Sequence, residues 1–312
     1  MPSPEAPIRA TIRWNRGLSP AYRHLGLAAP GFPEEIGAGQ FVMLRLPAVG
    51  DPLLPRAFSV YRVSRGAEAA PLVEILYKIF GKGTRHLAAM EPGQTVDLLG
   101  PLGNRFAPPP PGGIGLLAAG GIGVPPIAAL ARALGQRRAP SAERREDAAS
   151  GDSGPSSVVV FLGGRTAEDI LCLDEFAALG IEPHITTEDG SLGTSGLVTD
   201  LLGPYLIGPP LTTHHSPLTV YTCGPPGMLA AVARLAEAHG VPCQTSVEAG
   251  MACGFGACMG CAIEMRSAGP DRRYKLVCKD GPVFDAREIL WGWEGRAPSA
   301  ERRERGCGCH ES

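Results

Sequence analysis

The chain has 312 residues, 29 basic and 31 acidic, for a formal charge of −2; that balance leaves no basic excess to hold nucleic acid or an anionic membrane surface. The length accommodates two domains or three small ones, each with its own core. No apolar run approaches the roughly 20 residues that span a bilayer, and the opening MPSPEAPIRA lacks the apolar core of a secretion signal. A cytoplasmic location, without a membrane or nucleic-acid partner, is therefore expected. Nine cysteines in a reducing compartment do not make a disulfide framework, and an odd number cannot pair completely within one chain, so clustered cysteines point to metal.

From about residue 8 to 105 the chain reads as short strands. QFVMLRLP and PLVEILYKI are rich in β-branched and large apolar residues, and TVDLLGPLG ends in glycine and proline turns, a pattern that predicts an antiparallel barrel. The run PPPPGG at 108–113 suits a linker. Beyond it the pattern changes to strand, glycine turn and helix: IGLLAA, GGIG and VPPIAALARALG. The unit recurs as SSVVVFLGG with RTAEDILCLDEFAALG, where Thr166 and Asp169 read as an N-terminal capping box, and again as LTVYTCG with PPGMLAAVARLAEAHG. Repeated units of this kind predict a doubly wound parallel sheet with its ligand outside the carboxyl ends of the strands.

Residues 136–157 are polar and without apolar periodicity, which predicts a solvated or disordered insertion. The nonapeptide RAPSAERRE within it, at 138–146, recurs at 296–304. Its period matches no solenoid or propeller, so it reads as an inserted element without a catalytic role. Cys307, Cys309 and His310 follow the second copy and read as an incidental tail. Cys172 and Cys243 read as ordinary buried thiols.

From Val241 to Trp293 the chain is loop-like and cysteine-rich, the kind of segment that needs a metal to hold it together. Cys253, Cys258 and Cys261 have the spacing C-x4-C-x2-C, and Cys278 follows after sixteen residues. This is the plant-type spacing for a [2Fe–2S] centre held by four thiolates, which makes Cys278 the fourth ligand. Glycines 254, 256 and 260 suit backbone folded tightly round an anionic cluster, with N–H groups aimed at sulfur. Four thiols would also satisfy zinc, although zinc sites usually pair cysteines as two short knuckles, whereas here three crowd one loop and one stands apart.

Two further stretches carry a resemblance. PRAFSVYR contains Arg56, Phe58 and Ser59, and IFGKGTRHL supplies Gly81, Gly83 and Thr84; RAFS resembles the R-x-Y-[ST] flavin motif of the ferredoxin reductase superfamily. The resemblance implies that Arg56 pairs with the FAD pyrophosphate, that Ser59 sits near the flavin N5, and that the glycine-threonine turn cradles phosphate. An arginine fork and turn N–H groups suit such an anion. Phe58 replaces the usual tyrosine and keeps its aromatic surface. AAGGIGVPPIAAL, with Gly120, Gly121 and Gly123, resembles the nicotinamide-domain turn of the same superfamily, although it is not G-x-G-x-x-G. YTCGPPGM resembles its second nicotinamide element, implying that Cys223 and Gly224 lie beside the NAD nicotinamide ring. GGR at 163–165, together with Asp189 and Ser191, lies where the family places ribose and adenosine contacts.

The order of these parts, with CGFGACMGC followed by VCKDGPVFDAREI, is similar to the electron-transfer subunits of type B, NAD-dependent dihydroorotate dehydrogenases. The resemblance implies a multi-domain β and α/β protein: a flavin-binding β-barrel over 1–107, a doubly wound nicotinamide domain over 108–240 and a small [2Fe–2S] domain over 241–295; residues 296–312, outside the resemblance, read as a disordered tail. It also implies FAD, [2Fe–2S] and NAD as cofactors, and an FMN-bearing catalytic subunit as partner in a heterotetramer of two plus two. With no eight-unit barrel pattern of its own, the chain is not expected to oxidise dihydroorotate alone. The flavin subunits of hydrogenase, sulfite reductase or NADH-dependent ferredoxin:NADP+ oxidoreductase complexes share these modules. A zinc-stabilised binding module without redox function is the reading from another class.

Overall fold

The computed structural model describes residues 6–47, 54–65, 70–136, 157–207, 216–267 and 273–292. Alternating apolar residues in the first segment form β1 (Ile8–Gly17), β2 (Tyr22–Ala28), β3 (Phe41–Arg45), β4 (Arg56–Ser59), β5 (Arg62–Arg65), β6 (Pro71–Lys78) and, after a short helix α1 (Lys82–Ala88), β7 (Thr95–Leu102). The seven strands run in the order β4-β3-β7-β1-β2-β6-β5, and every pair is antiparallel. The two edge strands are consecutive in the chain, joined by Val60 and Tyr61, whose N–H groups donate to the Gln40 and Glu74 carbonyls. The sheet thus curls into the expected barrel around Ile12, Leu25, Val42, Leu44, Val73 and Ile75.

One strand departs from its sequence reading. Gly100 and Pro101 do not end β7, which continues to Leu102. The β3 pairing shifts register between Phe41 and Met43 at that place, and such an irregularity admits a proline, which has no N–H for the ladder.

The second sheet holds β8 (Ile114–Gly120), β9 (Ser157–Gly164), β10 (His184–Thr187), β11 (Thr194–Ser195), β12 (Leu218–Cys223) and β13 (Cys243–Ser246), all parallel. Helices α2 (Val124–Gln136), α3 (Leu173–Ala178), α4 (Val198–Ile207) and α5 (Pro226–Ala238) connect them. The order β11-β10-β9-β8-β12-β13 reverses direction between β8 and β12, so the ligand crevice of a doubly wound sheet lies at their carboxyl ends. The expected capping box is not formed. Thr166 caps only a 3-10 turn, Ala167–Asp169, and the Asp169 carboxylate is drawn away by partners on the barrel, as described below.

The C-terminal segment adds the hairpin β14 (Ala262–Met265) and β15 (Arg273–Leu276), a single turn α6 (Val277–Asp280) and β16 (Val283–Asp285). The boundary expected at 240/241 is not a structural one: β13 pairs with β12, and β16 pairs antiparallel with β13. The last strand so covers an otherwise open edge of the nucleotide-type sheet. Gln136 and Ser157, the ends of the expected insertion, belong to α2 and β9; 137–156 and the tail with Cys307, Cys309 and His310 lie outside the described residues.

Strand β3 is buried on both faces. Val42 and Leu44 point into the barrel, whereas Phe41 and Met43 point outward into a core shared with Val247, Cys261, Ile263, Cys278 and Phe284. Among the described residues, no helix is long and apolar enough to cross a membrane.

Candidate functional site

At the switch point the two glycine turns meet backbone to backbone. A Cβ on Gly123 would lie 2.5 Å from the Cys223 carbonyl carbon and 2.6 Å from Gly224 Cα, so no side chain fits there and the turns after β8 and β12 close on each other. Above them opens a cavity of about 600 Å³ whose walls include Gly120, Gly121, Gly123, Gly224, Arg165 and Glu188. The barrel contributes Tyr22 and Lys78 to the same cavity.

Those two residues hold the nucleotide-type domain to the barrel. The Lys78 ammonium donates to the Tyr22 hydroxyl at 2.9 Å and to Asp169 Oδ1 at 3.1 Å, while the Tyr22 hydroxyl donates a short hydrogen bond to the same Asp169 oxygen. The Arg165 N–H donates to Asp169 Oδ2 at 3.1 Å. Burial alone would raise the Asp169 carboxyl, but these donors outweigh it and hold the group below the usual carboxylate range. A second carboxylate on the same short segment, Glu175, accepts from the Tyr61 hydroxyl at 3.1 Å, from Arg62 and from Arg132 at 2.8 Å. The two domains therefore meet through paired charges, with Arg62 Nε and Arg132 Nη2 buried there without a hydrogen-bond partner.

Of the residues singled out in the sequence, Cys223 is buried, 1% exposed, beneath the cavity and not on its wall. Burial pushes its thiol strongly up, so it stays neutral. Asp189 and Ser191 bond each other, Ser191 N–H to Asp189 Oδ1 at 2.9 Å and hydroxyl to the same oxygen at 2.6 Å. Ser191 Oγ also accepts from the Ala167 N–H at 2.7 Å, which closes the loop. The wall position falls instead to Glu188, which sequence reading missed. Glu248 also lines the cavity and is exposed to solvent there.

The two flavin-type stretches are brought together. Arg56, Phe58 and Ser59 lie on β4, and the Gly81–Thr84 turn opens α1. A Cβ on Gly83 would fall 2.8 Å from Arg56 Cζ, so the guanidinium lies flat on this glycine, while another of its nitrogens donates to the Leu54 carbonyl. The Thr84 hydroxyl accepts from the Phe80 and Gly81 N–H groups at 2.8 and 3.0 Å and fixes the turn. The far end of α1 is held by Asn15, whose amide donates to the Leu87 and Met90 carbonyls at 2.7 and 3.1 Å. Phe58 meets Tyr77 edge to face at 5.8 Å, and the Tyr77 hydroxyl donates to Asn15 Oδ1 at 2.9 Å. Asn15 carries no local signal for this role, because Leu87, Met90 and Tyr77 lie more than 60 residues away in the chain.

The cysteine loop seats on the outer face of β3. Cys261 and Cys278 stand 3.1 Å apart, sulfur to sulfur, and the Cys278 N–H points at Cys261 Sγ at 3.4 Å. The Cys258 N–H points at Cys253 Sγ at 3.5 Å. Burial raises the Cys253 thiol, but N–H groups of Cys258, Phe255 and Ala257 outweigh it and bring it to about 6. Cys278 is pushed up to about 12 by burial and by its neighbour Cys261; a bound cation would reverse that shift. The thiols lie as two pairs, and among the described residues no three His, Cys, Asp or Glu side chains already close into one metal-holding group. The donor set fits an iron–sulfur cluster by chemistry, with four thiols and amide N–H groups aimed at sulfur.

Residues 248–290 match the model for the iron–sulfur cluster binding domain of dihydroorotate dehydrogenase B, and residues 117–234 match that for the oxidoreductase NAD-binding domain. The chain is 37% identical over 284 residues to the "Dihydroorotate dehydrogenase B (NAD(+)), electron transfer subunit" of Bacillus caldolyticus, covering 90% of this chain and 98% of that one. It is 32% identical over 274 residues to the subunit of the same name from Desulforamulus reducens, covering 88% and 94%. A solved structure of an NADH-dependent reduced ferredoxin-NADP oxidoreductase is similar with a TM-score of 0.74 and 25% identity, over 95% of this chain and 94% of that one. The chain belongs to the family of electron-transfer subunits of NAD(+)-dependent dihydroorotate dehydrogenase B.

Proposed function

We propose that this chain carries electrons from a catalytic dihydroorotate dehydrogenase subunit to NAD+, in pyrimidine biosynthesis, by way of a [2Fe–2S] cluster and FAD. The observation that carries this reading is that β4, the crevice at the β8/β12 switch point and the cysteine loop belong to one body, in a chain 37% identical over 90% of its length to such a subunit. FAD supplies the conversion that the other two groups cannot make, since a nicotinamide takes two electrons together and an iron–sulfur cluster gives one.

Arg56 and the Gly81–Thr84 turn hold the FAD pyrophosphate, Gly83 leaving the space in which the guanidinium lies. Ser59 faces the reactive edge of the flavin, and Phe58 supports it from the barrel side with Tyr77 behind. Gly120, Gly121, Gly123 and Gly224 give NAD a surface free of side chains at the start of α2. Cys223 supports this surface from beneath. Cys253, Cys258, Cys261 and Cys278 ligate the cluster. The working units are the barrel to about 107, the nucleotide domain from 108 and the cluster segment, the last two sharing one sheet.

The partner is an FMN-containing catalytic subunit, two copies of each chain assemble, and the complex works in the cytoplasm. The test mixes this chain, anaerobically reconstituted, with the catalytic subunit from the same organism and follows NADH formation from dihydroorotate and NAD+. NADH formed only with both subunits present supports the reading. A mixture with intact FAD and cluster spectra that forms none sinks it and points to the hydrogenase, sulfite reductase or ferredoxin:NADP+ oxidoreductase type of complex.

A further inference from the structure

The strand that bears the flavin-type motif and the loop that bears three of the cysteines are joined through one side chain. Met43, 1% exposed, pairs across β3 and β4 with Ala57, between the Leu44–Arg56 and Val42–Phe58 pairs. Its neighbours point into the barrel, so Met43 leaves on the opposite face and joins Ala57, Leu102, Cys261 and Cys278 in one core. Gly254, next to Cys253, has φ +85°, and a Cβ there would fall 2.9 Å from Met43 Sδ and 3.3 Å from Leu102 Cδ1. The loop backbone therefore rests directly on the thioether.

The loop's other tight backbone seat, Gly256 at φ +90°, lies against Lys279 and Leu276 of the cluster segment itself, so its seat on the barrel is the one at Met43 and Leu102. Phe255 and Met259 are 45% and 61% exposed, and from Cys253 to Cys261 the one buried side chain is that of Cys261. We infer that Met43 is a positioning residue for electron exchange between the cluster and FAD, setting how close the Cys253–Cys261 loop stands to the Arg56–Ser59 strand. This rests on the cofactor assignment above. When bound, the cluster would relay single electrons supplied by the catalytic partner, and FAD would collect two of them with one proton from solvent, the equivalent of the hydride that NAD+ accepts. Met43 takes up neither electron nor proton; it holds the distance. A supporting residue of this kind matters because a site loosened by about 1 Å loses much of its rate.

The experiment compares the reconstituted wild-type chain with Met43→Ala and Met43→Leu, reducing each with NADH under anaerobic stopped flow. FAD reduction and cluster bleaching are read at separate wavelengths, and amide hydrogen exchange is measured over 253–258. Met43→Ala is expected to leave FAD reduction within about twofold but to slow cluster reduction by roughly 10- to 100-fold, with faster exchange in the loop. Met43→Leu, close in volume, is expected to restore both. Met43→Ala with its cluster intact and reduced at the wild-type rate overturns the inference. Should Met43→Ala lose its cluster, Gly254→Ala disturbs the same contact from the other side, and cluster reduction at the wild-type rate in that variant overturns it equally. A wild-type chain whose FAD is reduced by NADH while its intact cluster never is would instead refute the electron-transfer reading itself.

Discussion

Lys78 of the barrel and Asp169 of the nucleotide domain meet 3.1 Å apart on the wall of the cavity at the switch point. The barrel so reaches the cavity through a charge pair that also engages the Tyr22 hydroxyl. Removing one partner leaves the other half-buried and uncompensated.

Asp169→Asn is accordingly expected to destabilise the chain by about 1.5–3 kcal/mol, the range for hydrogen bonds to charged groups, read from the urea midpoint at pH 7. Because the folded Asp169 carboxyl sits below its ordinary value, its contribution is fully present above about pH 4 and is lost as pH falls through the lower folded value. The wild-type chain should therefore lose stability more steeply than Asp169→Asn in that acid range. Parallel curves for the two proteins would show that the pair contributes nothing.

Cys278→Ser is expected to lose the cluster while retaining FAD, because it removes one of the four proposed ligands from a segment outside the barrel core. Electron paramagnetic resonance after reduction, alongside the flavin absorbance, gives the answer. A full [2Fe–2S] signal from the variant would remove Cys278 from the ligand set.

Gly83→Ala places a methyl group where the Arg56 guanidinium lies. Overpacking of this kind costs about 1–3 kcal/mol, so FAD affinity is expected to fall by roughly 5- to 150-fold, measured by flavin fluorescence on titration of the apoprotein. Unchanged affinity would detach the glycine-threonine turn from FAD binding.

Gly123→Ala meets backbone at Cys223 and Gly224, which yields less readily than a flexible side chain. The expected outcome is loss of NADH binding, seen as failure of NADH to reduce FAD, while dithionite still reduces both FAD and cluster. Normal NADH reduction would mean that the β8 and β12 turns can separate without harm.

Much of the site was legible because its signals are local. The spacing of Cys253, Cys258 and Cys261, the RAFS stretch and the glycine turns after β8 and β12 are each set by a few consecutive residues, and alternation of apolar residues announced the barrel strands. The reading failed where a distant partner outbid a local one. Asp169, three residues after Thr166, has the spacing of a capping box, yet Tyr22 and Lys78 hold its carboxylate from the barrel. Asp189 and Ser191 are the opposite case, read as ligand contacts while each bonds the other within one turn.

By itself, then, the sequence determined the three modules, their order and the groups each is built to hold, since strand periodicity, glycine turns and thiol spacing are written along the backbone. Only the tertiary structure decided how the modules join: β13 and β16 merging two of them into one sheet, Asn15 anchoring the helix after the flavin turn, and Met43 beneath the cluster loop. The physical reason is that burial and charge pairing act through space. A buried methionine or an asparagine gives no local sign of its partner until the chain has brought the two together.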